Sequence, residues 1–142
     1  MRANPKYSPL YLAFLYFFNE ERDYYECHEV LEELWMEEAR SPLYQGLLQV
    51  AVALYHCRND NWSGSCKLFA QAIDKLERYP SETHGINLDQ LVKDCRHYLQ
   101  ELKRIPDGEF RFYDLTIQYT DPELVLFIQQ MRQQPPEKLA SD

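Results

Sequence analysis

The chain has 142 residues, 45% of them hydrophobic and 14% aromatic, with 15 Lys and Arg against 23 Asp and Glu for a formal charge of −8. That length and apolar content support one domain with its own core and exclude a largely disordered chain. The acidic balance excludes sequence-independent binding to a phosphate backbone, which needs a basic surface, so no nucleic-acid partner is expected.

The first predicted helix opens at Ser8-Pro9, an N-cap followed by proline at the first helical position, and runs to about Asn19. Its apolar run, Leu10 to Phe18, falls well short of the ~18 residues a bilayer span needs. It is aromatic and is followed by Asn19-Glu20-Glu21-Arg22 with no small-residue cleavage site, so it reads as a buried helix rather than a signal peptide. Helix two runs from Asp23 to about Ala39, and helix three from the cap Ser41-Pro42 to about Asn59. Helix four spans Trp62 to Tyr79 and helix five Asn87 to about Arg104, each stopping before a proline. Helix five carries the cleanest apolar face, through Leu88, Leu91, Val92, Cys95, Tyr98, Leu99 and Leu102.

Phe110 to Tyr119 alternates weakly and reads as an extended arm or a short strand. Asp121-Pro122 opens a last short helix through Leu124, Phe127, Ile128 and Met131. The expected organisation is one helical domain over residues 1–133 with a flexible tail over 134–142. The expected fold is all-α: a compact, mostly antiparallel bundle of about five helices plus a short C-terminal helix. Cys27, Cys57, Cys66 and Cys95 form no CxxC pair and fall within helical patterns, which suits small buried hydrophobes in a cytoplasmic protein.

The polar chemistry concentrates on helices two and three. At about 100° per residue, Tyr24, Cys27, Leu31, Leu34 and Trp35 form a buried stripe on helix two, with His28 at its edge and Glu32 one turn further. His28 and Glu32, at i and i+4, can touch, and a carboxylate beside an imidazole suits a general base, a metal ligand or a plain surface pair. Glu26, Glu29, Glu33 and Glu37 fall toward the opposite face. Helix three is apolar nearly all round, with Gln45, Gln49 and His56 in one narrow strip beside Gly46 and Ala53. That strip is either its solvent edge or an inward face whose amides pair with His28 and Glu32.

Metal motifs fail on spacing. His28-Glu29-Val30-Leu31-Glu32 has glutamate where the zincin motif needs its second histidine, and no ExxH pair of the di-iron type occurs. Asp94 and His97 point away from the apolar face of helix five. With no Gly-rich phosphate loop and no GxSxG elbow, no metal and no cofactor is expected.

Phe18-Asn19, the run Tyr25 to Trp35 with its HExLEExW core, Gly46-Leu47-Leu48-Gln49 and Ala51 to His56 together resemble the bacterial and archaeal family known as domain of unknown function 309. The resemblance implies a small cytoplasmic helical bundle and places the family pattern on Asn19, His28, Glu29, Glu32, Trp35, Gly46 and Gln49. It brings no activity. It does tilt the expectation toward a paired, partly buried network of His28, Glu32 and Gln49, with Glu29 unexplained on the outer face. The favoured function is a noncatalytic interaction or scaffold module with a protein partner or a second copy of itself, and no membrane. The alternative is a small-molecule or metal-assisted enzyme, perhaps a hydrolase, with His28 as base or ligand, Glu32 as its orienter, Trp35 as a wall and Gln49 positioning substrate.

Overall fold

The computed structural model describes residues 6–140. The outermost parts of the expected domain and tail, residues 1–5 and 141–142, lie outside the described residues. The elements are α1 (Pro9–Tyr16), a π-helical turn (Phe17–Glu21), α2 (Tyr24–Glu37), α3 (Pro42–Arg58), α4 (Trp62–Leu76), β1 (Glu82–Thr83), β2 (Ile86–Asn87), α5 (Leu88–Arg104) and α6 (Pro122–Gln133). The fold is all-α, with one small antiparallel hairpin between α4 and α5.

Side-chain caps set where the helices start. Oxygens of Ser8, Asp23, Ser41, Asn61, Asn87 and Asp121 each accept a backbone N–H two or three residues on, satisfying a donor that the first turn leaves free. The ends follow less simply from sequence. α1 stops as an α-helix at Tyr16 and continues as the π-turn, which closes at Arg22 in the left-handed region (φ 56°). The wider turn lets Phe17 and Phe18 both enter the core while Asn19 faces residues 110–119.

α2, α3, α4 and α5 pack in chain order, each against the next, with α1 on α2 and α6 on α1. The α3–α4 seam is tight because Gly46 has no side chain: a Cβ there would stand 2.7 Å from Leu76 Cδ2. On the same seam Ser65 Oγ donates to the Ala53 carbonyl at 2.8 Å.

The stretch Phe110 to Tyr119 is an extended arm whose single ladder contact is Tyr119 with Ile86 of the hairpin. Without a sheet beside it, its backbone is satisfied by helix side chains. Asn19 Nδ2 donates to the Ile117 carbonyl at 2.8 Å, and Asn19 Oδ1 accepts the Ile117 N–H at 2.9 Å. The Arg22 guanidinium holds the Leu115 carbonyl, Tyr24 donates to Asp114, and Tyr98 donates to the Tyr113 carbonyl.

The β1–β2 turn is His84-Gly85, both with positive φ. Only glycine fits the second position, since a Cβ would also stand 2.5 Å from the Tyr7 hydroxyl. The His84 ring lies edge-on to Tyr11 and Tyr44, with Nε2 3.0 Å from the Tyr44 hydroxyl, and the Tyr11 hydroxyl donates to the His84 carbonyl. Burial of this ring pushes its pKa below the ordinary histidine value, against a weaker opposing pull from Glu38.

Two outcomes follow. Asn19→Ala strands both backbone groups of the buried Ile117 and is expected to lower the unfolding free energy by about 2 kcal/mol or more in a denaturant titration. Because the folded pKa of His84 is depressed, the unfolded chain binds the extra proton first. Its contribution is therefore complete above the unfolded value of about 6.5 and is lost as pH falls below it. Melts between pH 7.5 and 5.5 should show stability dropping toward acid, with a shallower drop in His84→Asn, which tolerates the turn's positive φ.

Candidate functional site

α2 buries one side only. Tyr24, Cys27, Val30, Leu31 and Leu34 are sealed in the core, and Trp35 is only half-buried rather than the full member of the stripe expected. On the outer side stand Tyr25, 49% exposed, and Met36, 62% exposed, among the carboxylates of Glu29, Glu32, Glu33 and Glu37. Tyr25 lies about 100° from the buried Tyr24 around α2, outside the stripe of Tyr24, Cys27, Leu31 and Leu34 that packs inward.

His28 lies on this outer side with its side chain a third exposed. Its Nδ1 is 3.9 Å from Glu29 Oε1 and its Nε2 is 3.7 Å from Glu32 Oε2. Both separations exceed hydrogen-bonding range, so neither carboxylate selects a tautomer, and the two ring nitrogens face different partners. The ring stacks beside Tyr25 at 6.4 Å, and Tyr25 meets Tyr55 of α3 at 6.0 Å. Glu29 is thus a neighbour of His28, a contact between sequence-adjacent residues that the helical wheel obscured.

The expected joining of His28 and Glu32 with Gln49 does not occur. Gln49 is buried and turned toward α4, where its Nε2 donates to Gln71 Oε1 at 3.0 Å, and its own Oε1 is buried without a partner. α3 presents its polar strip to α4 because Gly46 and Ala53, on the same strip, are where α4 approaches closest. Gln45 shares that side and is half-buried. His56 ends the strip, with Nδ1 3.3 Å from Asn61 Nδ2. Asn19 serves the arm, as described above. The site residues anticipated from sequence therefore divide among three places, and only His28, Glu29, Glu32 and Trp35 share the α2 surface.

Trp35 closes the far end of that surface. The Arg40 guanidinium lies 5.0 Å from its ring, a cation–π distance, and its Nε1 is buried without an acceptor. Arg40 reaches this position because Ala39 and Arg40 both adopt left-handed φ, turning the chain back over the end of α2.

Glu26 departs most from expectation. The wheel places it outward with Glu29 and Glu33, yet it is 1% exposed. Its carboxylate is covered by residues 138–140, where it accepts the backbone N–H groups of Leu139 and Ala140, the latter at 3.2 Å. Lys138 Nζ lies 2.8 Å from Asp23 and 3.5 Å from Glu21. No local signal in the tail reveals this, because the contact spans most of the chain. Glu29, Glu32, Glu33, Met36, Glu37 and Leu139 together line a shallow groove of about 580 Å³. Such a surface attracts cations and offers two aliphatic contacts. Among the described residues no group of three or more His, Cys, Asp or Glu side chains is placed to hold a metal ion, and no helix is long and apolar enough to cross a membrane.

Residues 11–68 match the family described as Domain of unknown function (DUF309). An uncharacterized protein of Bacillus subtilis (strain 168), YpuF, is 40% identical over 86 residues, covering 58% of this chain and 49% of its own length. An uncharacterized protein of Aquifex aeolicus (strain VF5) is 32% identical over 83 residues, covering 56% of this chain and 24% of its own length. The chain thus spans about half the length of the first relative and about a quarter of the second. The matched residues 11–68, which run from α1 into α4 and include His28, Glu29, Glu32 and Trp35, are thus similar to the DUF309 family over that part of the chain.

Proposed function

We propose that this protein is a noncatalytic interaction module whose docking face is the outer side of α2. What supports the reading is that His28, Glu29 and Glu32 stand at the surface at separations too long for hydrogen bonds among themselves, beside exposed Tyr25 and Met36. Polar groups that hold a fold together are paired inside it. These are presented outward, next to the aromatic and methionine side chains that interfaces favour. The partner is a protein segment carrying basic and aliphatic side chains, because the face is ringed by carboxylates. A symmetric dimer through the same patch is disfavoured, since an isologous contact would set like charges opposite each other.

Two measurements test this. His28→Ala is expected to leave the unfolding free energy within about 0.5 kcal/mol of wild type, as a loosely paired surface residue should. A loss near 2 kcal/mol would make the residue architectural and count against docking. The second uses a photo-crosslinking amino acid at Met36, with Asp89 on α5 as the control position. Crosslinking from Met36 should weaken with added salt and disappear with Glu29→Lys/Glu32→Lys. Equal crosslinking from both positions would sink the reading.

A further inference from the structure

One segment of this chain already lies on the docking face. Residues 134–140 form no helix or strand, yet Lys138, Leu139 and Ala140 lie along the N-terminal half of α2 with three separate anchors. The Lys138 ammonium pairs with Asp23 and Glu21. The Leu139 side chain forms one wall of the groove that Met36 and the α2 carboxylates also line. The Glu26 carboxylate takes the backbone N–H groups of Leu139 and Ala140.

Each anchor has a distinct recognition value. A carboxylate accepting two successive backbone donors reads a main chain that bends over it, irrespective of its side chains. The Asp23–Glu21 pair selects a cation one residue before, and the apolar Met36 at the groove favours an aliphatic side chain at the position between. The preceding Pro135-Pro136 holds the approach extended and lowers the entropy lost on docking. The hold is shallow: the Lys138 side chain remains 52% exposed and Leu139 45% exposed. A segment attached this lightly can be displaced, and a buried Glu26 uncovered by its departure needs replacement donors.

We propose that the α2 face binds peptide segments of the pattern lysine–aliphatic–small residue, bent at the last two residues, and that Lys138–Ala140 is a built-in competitor strapped across it. The proposal rests on the reading of α2 as a docking face and specifies both what docks there and what controls access. In the full chain the strap is the resident ligand. An external segment of the same chemistry binds by displacing it, and its apparent affinity is reduced by the fraction of time the strap is down.

The test uses the full chain, ¹⁵N-labelled, in three forms: wild type, Glu26→Ala, and Lys138→Glu/Leu139→Ser. In wild type the Leu139 and Ala140 amides should exchange with solvent at least tenfold more slowly than in Glu26→Ala, whose helix retains a good helix-forming residue at that position. The double variant places a carboxylate against Asp23 and Glu21 and so lifts the strap. Added to it, a synthetic peptide of the sequence Pro135 to Ala140 should shift the amides of His28, Glu29 and Met36, with an affinity at least fivefold tighter than for wild type. Unprotected Leu139 and Ala140 amides in wild type would overturn the strap. Equal peptide affinity for wild type and the double variant, or no shifts in either, would overturn the competitor. Crosslinking from Met36 in the double variant separates the two claims. If a partner is still captured while the peptide is ignored, the peptide class is wrong and the docking reading stands.

Discussion

The fold is organised by a helix that no single neighbour can cover. Every residue from Tyr11 to Phe18 is buried, so the apolar surface of α1 and its π-turn extends around the whole circumference. An ordinary amphipathic helix needs one partner face, whereas this one must be wrapped. α2 takes one side and α6 another, Tyr44 and the His84 turn close the end near Tyr11, and the 110–119 arm runs past the π-turn. Much of the chain outside α3 to α5 is arranged to enclose these residues.

Wrapping with an extended arm creates a second problem, because a buried strand without a sheet has unpaired backbone groups. The protein solves it with side chains from the wrapped helix and its neighbours. Asn19 is the clearest case: its amide both donates to and accepts from Ile117, as a neighbouring strand would. The π-turn is what aims Asn19 at the arm, so an irregularity in the helix and an irregular arm support each other. Asn19 therefore belongs to the architecture although it falls within the same sequence pattern as the surface residues His28 and Glu32.

The α2 surface is the complement of this economy. Among the described residues α1 and α3 are the helices that pack closely on α2, and most of its carboxylates collect on the opposite, outer face. Glu26 is the exception, sealed beneath backbone amides that lie far away in sequence. The same helix thus displays a row of solvated carboxylates and one that is dehydrated and paired, which a helical wheel cannot distinguish.

Local physics made most of the helical skeleton legible. Caps such as Ser8-Pro9, Ser41-Pro42 and Asp121-Pro122 act within one turn, and the 3.6-residue period of α5 needs only its own residues, so their starts and faces could be read from sequence. The composition likewise fixes the net negative charge wherever the side chains end up. What required the tertiary structure were the pairings between distant segments. The α3 strip could face solvent, α2 or α4 with equal local justification, and the close approach of Leu76 at Gly46 turned it, with Gln49, toward α4. The outward or inward state of Glu26, the role of Asn19 and the burial of the His84 ring depend on residues 40 to 114 positions away. Periodicity reports which sides of a helix are apolar, but which neighbour covers each side is settled only when the whole chain competes for the same buried surface.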